Sequence, residues 1–364
     1  MSGMQSAPGA EIVLDGRRYL YFGGTGYYGL QGHPAVIRAG MRAFPGYGIH
    51  SATGRAGYGD NPVLLKVESL LKEFFQEKDA VYFGSGYLGN FILGQALAGP
   101  ADVVFVDELA HFSMNDAVLT LGRPVVRFRH RDPDDLKKKL RKKMRPRRRP
   151  LLMTDGVFPV FGRIAPLPEY AEVMAPYGGI IAVDDAHGVG VLGRNGRGTR
   201  EHFGLGKKPN MHFAGTLSKA FGGHGGFVAG KPGLIGRIRT ESGAFIGSTP
   251  TPTPIAAATA KGIEILRNHP EMRDRLRRNV AAVKTGMRAL GIEVEDSPVP
   301  IAAWSMKTER EMRGIQKALM KRGIAVAYLK YVGAPPAGVL RISVFSTHTS
   351  AQIRRLLDGL AQVL

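Results

Sequence analysis

Between residues 80 and 230 this chain places seven short apolar runs, separated by loops and helical stretches, and that alternation constrains its fold more than any other feature. The runs are AVYF (80–83), DVVFVD (102–107), VVRFRH (125–130), PLLMTD (150–155), GIIAVDDA (179–186), MHFAGTL (211–217) and GGFVAG (225–230). Runs that are apolar throughout mark strands buried on both faces, and strands spaced by helices build a mostly parallel sheet. The expectation is an α/β protein with a large domain whose central, mostly parallel sheet is flanked by helices. Asn61-Pro62 opens a stretch in which Val63, Leu64, Val67, Leu70, Leu71, Phe74 and Phe75 recur at helical spacing, so a helix over the sheet is predicted there.

The proline-rich STPTPTP (248–254) then interrupts the chain, and IAAATAKGIEIL begins a long helical region. The remainder of the chain reads as helix (271–290), strand (300–306), helix (308–322), strand (324–329), strand (339–346) and helix (350–364), a smaller α+β lobe. The N-terminal hairpin IVLDGRRYLYF is expected to pair with that lobe. The domain assignment is therefore residues 1–40 as a hairpin segment packing on the small domain, 41–255 as the large domain and 256–364 as the small C-terminal domain.

Composition narrows the chemistry. There is no cysteine, which excludes disulfides, thiolate metal sites and a cysteine nucleophile. No run of eighteen apolar residues occurs, and MSGMQSAPGAEIVLDG has neither the basic start nor the apolar centre of a secretory leader, so a cytoplasmic protein without membrane attachment is expected. The formal net charge of +20 suggests an anionic partner or substrate. Much of it sits in KKKLRKKMRPRRR (137–149), which reads as a solvated helix face and loop; it has no aromatic residue for stacking on bases, and nucleic acid is a minor option.

Four signals stand at the carboxyl ends of the strands, where open α/β sheets bind ligands. FGSGYLGN (83–90) is a glycine-rich turn from strand to helix, in which the N–H groups of Ser85, Gly86 and Tyr87 can face a phosphate; alone, such a stretch is more often a plain turn. In DELAHFS (107–113), His111 can lie on a planar ring or be an ordinary loop residue. In IIAVDDAHGVGVLG (180–193) an apolar strand runs into carboxylates that need a cationic partner; Asp184 and His187 can reach one ligand, either a protonated pyridine ring or a metal, although no further carboxylate or histidine cluster supports a metal. In GTLSKAFGGHGGFVAG (215–230), Thr216 and Ser218 set hydroxyls for a phosphate beside the Lys219 amine, which suits a Schiff base better than a place on the surface.

Together these segments resemble the pyridoxal 5′-phosphate (PLP)-dependent α-oxoamine synthase family, which has the type I aminotransferase fold. VDDAHGVGVLGRNGRG (183–198), GTLSKAFGG (215–223) and LRISVFSTHT (340–349) carry the resemblance most specifically, and it runs from about Ile12 to the C-terminus. It implies that Lys219 binds the cofactor covalently, Asp184 holds the ring nitrogen, His187 lies near the ring hydroxyl and His111 stacks on the ring. It also implies that Gly86 and Tyr87 belong to the phosphate-side turn and that Thr216 and Ser218 are the hydroxyls preceding the lysine, with Ser85 in the same cofactor-binding turn. Ser248 and Thr249 match a segment donated by a second subunit, so a homodimer with shared active sites is implied. Arg341 matches a clamp for the amino-acid carboxylate. The implied reaction condenses an amino acid with an acyl thioester, carried by CoA or an acyl carrier protein, to an α-amino ketone, usually with decarboxylation.

Departures from the family pattern surround the substrate. Thr25 stands where an asparagine is usual, Pro159 replaces a serine, His50, Ala52 and Thr53 replace glycines before Arg55, and Leu64 replaces a histidine. They leave open a different carbanion reaction on the same cofactor: transamination, racemisation, decarboxylation or aldol cleavage.

Overall fold

The computed structural model describes residues 3–306 and 308–364. Strands β1 (Glu11–Leu14) and β2 (Arg17–Phe22) form a hairpin. The seven expected runs come next as β3 (Asp79–Phe83), β4 (Val103–Asp107), β5 (Val125–Phe128), β6 (Pro150–Asp155), β7 (Ile180–Asp184), β8 (Met211–Thr216) and β9 (Gly226–Gly230). The C-terminal part supplies β10 (Ile301–Trp304), β11 (Ile324–Leu329) and β12 (Val339–Ser343).

The large sheet has the order β3-β9-β8-β7-β6-β4-β5. Its pairs from β8 through β5 are parallel, whereas β9 runs antiparallel to both β8 and β3. Both faces are covered, and side-chain parity along each strand decides which layer a residue joins. Val104 and Val106 of β4, Leu151 and Met153 of β6, Ile180 and Ala182 of β7 and Ala214 of β8 pack into one apolar cluster. Phe105, Leu152, Ile181 and Val183 point into the other. Continuing the count by two carries Asp155, Asp184 and Thr216 to the first face at the carboxyl ends of three adjacent strands. The chain steps outward from β4 to β5 and returns to β6 on the far side of β4, so a crevice opens where β4 and β6 end.

Helices α1 (Pro34–Tyr47), α2 (Pro62–Phe75), α3 (Gly89–Ala98), α4 (Phe112–Leu119) and α5 (Pro133–Lys143) precede the middle of the sheet. The predicted helix from Pro62 is α2; the Asn61 side chain accepts from the N–H groups of Val63 and Leu64 at 3.1 Å each, a cap that fixes its start. Leu136 and Leu140 tie α5 to the core, and the basic residues among them face outward. From α5 the chain leads to the amino end of β6, so KKKLRKKMRPRRR lies toward the end of the sheet opposite the crevice.

The second sheet has the order β1-β2-β11-β12-β10, with β2 parallel to β11 and the other pairs antiparallel. The N-terminal hairpin thus pairs with C-terminal strands. The proline-rich break leads into one helix, Thr253–Asn268, which spans the boundary drawn at 255/256 and packs on α1 and α2. No helix among the described residues is long and apolar enough to cross a membrane.

Candidate active site

A cavity of about 220 Å³ opens at the crevice, lined among others by Ser85, Asp155, Asp184, His187, Ser218 and Lys219. That is below the roughly 300–1,000 Å³ of pockets for drug-sized molecules and suits a single substituted ring. A larger cleft of about 920 Å³ lies between Phe161, Arg288 and Trp304, but none of the residues named above lines it.

The floor is built from Asp184. Its Oδ2 accepts from Asn90 Nδ2 at 2.7 Å and its Oδ1 from the Ala186 N–H at 3.1 Å. Asp155 is the register partner of Asp184 on the next strand. Burial, reinforced by the neighbouring Asp184 charge, drives the Asp155 carboxyl well above the usual carboxylate range. Its Oδ2 accepts the His111 N–H at 2.9 Å, which joins the ends of β4 and β6.

Counting donors orients the His111 ring. Asn90 Nδ2 also donates to Ser113 Oγ at 2.9 Å, leaving the Ser113 hydroxyl to donate to His111 Nδ1 at 2.7 Å. The proton of His111 therefore sits on Nε2 and is given to the Tyr331 hydroxyl, 2.7 Å away. Burial, with the Lys219 charge adding to it, lowers the pKa of this imidazole and favours the neutral ring.

Lys219 closes the cavity on the β8 side. Lys219 is half-buried and lines the cavity, and its amine makes no hydrogen bond to the described residues. Enclosure, with a further push from Arg341, lowers its pKa from 10.5 to about 8 against the opposing pull of Asp184 and Asp155. Next to it, Thr216 Oγ1 and Ser218 Oγ are hydrogen-bonded at 2.8 Å. The turn at Ser85–Tyr87 presses on this pair so closely that a methyl group at Gly86 would come within 2.5 Å of Thr216 Oγ1. Glycine is required there by space, which keeps backbone N–H groups beside two hydroxyls.

The other expected residues take different places. His187 is buried with its Nδ1 2.7 Å from the Tyr27 hydroxyl. Arg341 and Thr25 lie outside the cavity lining but close to one another, since Arg341 Nη2 donates to Gly24 O at 3.2 Å while its Nη1 donates to Pro159 O at 3.0 Å. Pro159 has no hydroxyl to offer, and its carbonyl instead holds the arginine. The Arg341 Nε is buried without a partner among the described residues. Thr249 is exposed, with its carbonyl beside Gly84, and does not line the cavity. His50 uses its Nδ1 to accept the Ala52 N–H at 3.0 Å, and Leu64 is core.

Six lining or supporting residues carry no signal that sequence reasoning picks out: Tyr27, Asn90, Ser113, Asp155, His224 and Tyr331. Asn90, Ser113 and His224 nevertheless stand inside the strand-end motifs, and Asp155 ends a recognised strand in the same way as Asp184. Tyr331 has no local signal, because its contact spans 220 positions.

The second aspartate of the pair, Asp185, points away from the site. It is lodged among Gly156, Gly188 and Gly198 and accepts the Thr199 N–H at 2.8 Å. Burial, the leading cause, raises its pKa from 3.8 to about 8. A carboxyl raised in the folded state binds a proton there that the unfolded chain releases, so the contribution of Asp185 to stability is fully present below the ordinary carboxylate pKa and declines as pH rises to about 8, by roughly 1.4 kcal/mol per unit at the steepest. Asp185→Asn removes that titration. Denaturant midpoints compared between about pH 5.5 and about pH 8 are expected to fall steeply for the parent chain and much less for the variant.

The model of the aminotransferase class I and II family matches residues 21–360. This chain belongs to that family. Members similar to it over nearly its whole length include 8-amino-7-oxononanoate synthase of Nitrosococcus oceani, 36% identical over 99% of this chain and 96% of that protein. The enzyme of the same name from Cellvibrio japonicus is also 36% identical, over 99% of this chain and 90% of the relative. Among solved structures of the family, serine palmitoyltransferase from S. paucimobilis with bound PLP–myriocin aldimine superposes with a TM-score of 0.92 at 29% identity, over 100% of this chain and 92% of that one. A high-resolution structure of serine palmitoyltransferase with PLP as internal aldimine gives the same values.

Proposed function

We infer that this chain is a PLP-dependent acyltransferase that condenses an amino acid with an acyl thioester, releasing the thiol and forming an α-amino ketone. The observation that carries the reading is the Lys219 amine, lowered toward neutrality and without a hydrogen-bond partner among the described residues, facing a ring-sized cavity with a carboxylate on its floor. Full-length similarity to synthases of this kind supports it.

The residues fit the cofactor. Asp184 would partner the pyridinium nitrogen, His187 would serve the ring hydroxyl and His111 would lie against the ring. The N–H groups at Ser85–Tyr87 with the hydroxyls of Thr216 and Ser218 serve the phosphate. Bound there, PLP acts as an electron sink for charge developing at the substrate Cα. With a pKa of about 8, Lys219 Nζ exchanges protons near neutral pH, as a base at Cα must. Arg341, with Thr25 beside it, is the cation for the substrate carboxylate; its unpaired Nε is a donor still to be satisfied.

The same reading places the enzyme in the cytoplasm as a homodimer. Ile37, Met41, Phe44 and Ile255 are exposed around a groove of about 620 Å³ that shares His224 with the cofactor cavity. A second copy covering this face buries that apolar surface and brings a segment bearing Thr249 toward the neighbouring site.

The test mixes PLP-loaded protein with glycine, alanine or serine and a panel of acyl-CoAs. Free thiol appearing in step with amino ketone for at least one pair is the expected result. If no pair releases thiol while Cα deuterium exchange proceeds without any thioester, the reaction is another one on the same cofactor.

A further inference from the structure

We propose that Tyr27 is a positioning residue that locks His187 in the tautomer protonated on Nε2, so that the ring presents a hydrogen-bond donor to the cofactor hydroxyl. The inference deepens the functional reading above and rests on it for the identity of the group that His187 meets.

The geometry leaves one arrangement of protons. Tyr27 is wholly buried and its hydroxyl has a single partner among the described residues, His187 Nδ1, at 2.7 Å. If Nδ1 carried the proton and donated to the tyrosine oxygen, the Tyr27 O–H would itself have no acceptor, a buried donor left unsatisfied. With Tyr27 donating, both groups are satisfied and Nε2 must carry the hydrogen. That nitrogen has no partner among the described residues, and His187 lines the cavity.

The alternatives to a neutral ring are disfavoured by its surroundings. Burial first, and then the positive charges of Lys219 and Arg341, hold His187 well below its ordinary pKa, and His111 acts in the same sense. Burial also raises the Tyr27 hydroxyl, which stays a donor at any working pH. The serine that the family pattern offers near the same hydroxyl is Pro159 here, so this chain relies on His187 for that donor and on Tyr27 to aim it.

Histidine nitrogen chemical shifts of nitrogen-labelled protein test the tautomer before any cofactor is added. His187 is expected in the Nε2–H form, and in Tyr27→Phe that signature is expected to be lost to a mixture of forms. With PLP bound, a donor to the ring oxygen stabilises its anionic state, so Tyr27→Phe should raise the pKa of the bound chromophore by about one unit. Rates alone are not the readout. A wild-type His187 carrying its proton on Nδ1, or a chromophore pKa unchanged in Tyr27→Phe, overturns the inference. Failure of the wild-type protein to take up PLP would overturn the functional reading instead, while the nitrogen shifts still judge the tautomer.

Discussion

Replacing Lys219 with alanine is expected to reduce thiol release by at least about 10³-fold while leaving the fold intact. The amine makes no hydrogen bond to the described residues, so no structural contact is lost, and removing a group that burial pushes toward its uncharged form costs the fold little. On the proposed function the loss is twofold: the covalent anchor for PLP and the base at Cα. Gel filtration should strip the cofactor from the variant and leave it colourless, whereas the parent stays yellow and borohydride fixes the cofactor to Lys219. Lys219→Arg should not rescue activity, because a guanidinium does not deprotonate in this range. A variant that keeps more than a tenth of the parent rate would remove Lys219 from the chemistry.

The largest loss of stability is expected from Glu68→Ala, about 3–5 kcal/mol in denaturant unfolding. Arg55 and Glu68 are an ion pair with both side chains buried. Arg55 also holds Asp60 at 2.5 Å and donates to Tyr82 O at 3.0 Å. Glu68 in turn accepts the Tyr82 N–H at 2.9 Å and meets Arg239 at 3.3 Å. One carboxylate therefore joins α2, the loop before it and the edge strand β3. Its removal takes from the buried Arg55 guanidinium the carboxylate buried with it, leaving only the more exposed Asp60, and leaves a backbone donor of the edge strand unpaired. The double change Arg55→Met with Glu68→Leu should recover much of the loss, since it removes the buried guanidinium together with its buried partner; equal destabilisation of single and double variants would show that packing, not charge, dominates at this site.

The large sheet is legible in the sequence because its strands are covered on both faces. A strand such as PLLMTD is buried from Pro150 to Asp155, so its sequence is almost unbroken in apolar character until it reaches the polar residue at its end. The same logic points to Asp184, His111 and the stretch from Thr216 to Lys219, which all lie at such ends. Asp155 is harder to notice only because nothing like the Asp-Ala-His after Asp184 accompanies it. The contacts that orient the site are a different matter. Tyr27 and Tyr331 meet the two histidines across 160 and 220 positions, and no periodicity or turn chemistry encodes a partner that far away. Arg341 is recognisable by its place in a motif, but its grip on the Gly24 and Pro159 carbonyls depends on how the two sheets are set against each other.

The second sheet also sets a timetable for synthesis. Leu20 in β2 pairs with Ile324 in β11, about three hundred residues later, whereas every strand of the large sheet has been made once Gly230 is added. At translation speeds of about 5–20 residues per second, the first hairpin waits roughly 15–60 s for the strand that completes it. An isolated two-stranded ribbon is marginal in water, and this one carries Ile12, Leu20 and Phe22, all buried in the finished molecule. The hairpin therefore stays unshielded for the whole of that interval, and a message truncated between the codons for Gly230 and Ile324 would produce a polypeptide with a complete large sheet and a permanently open, aggregation-prone edge.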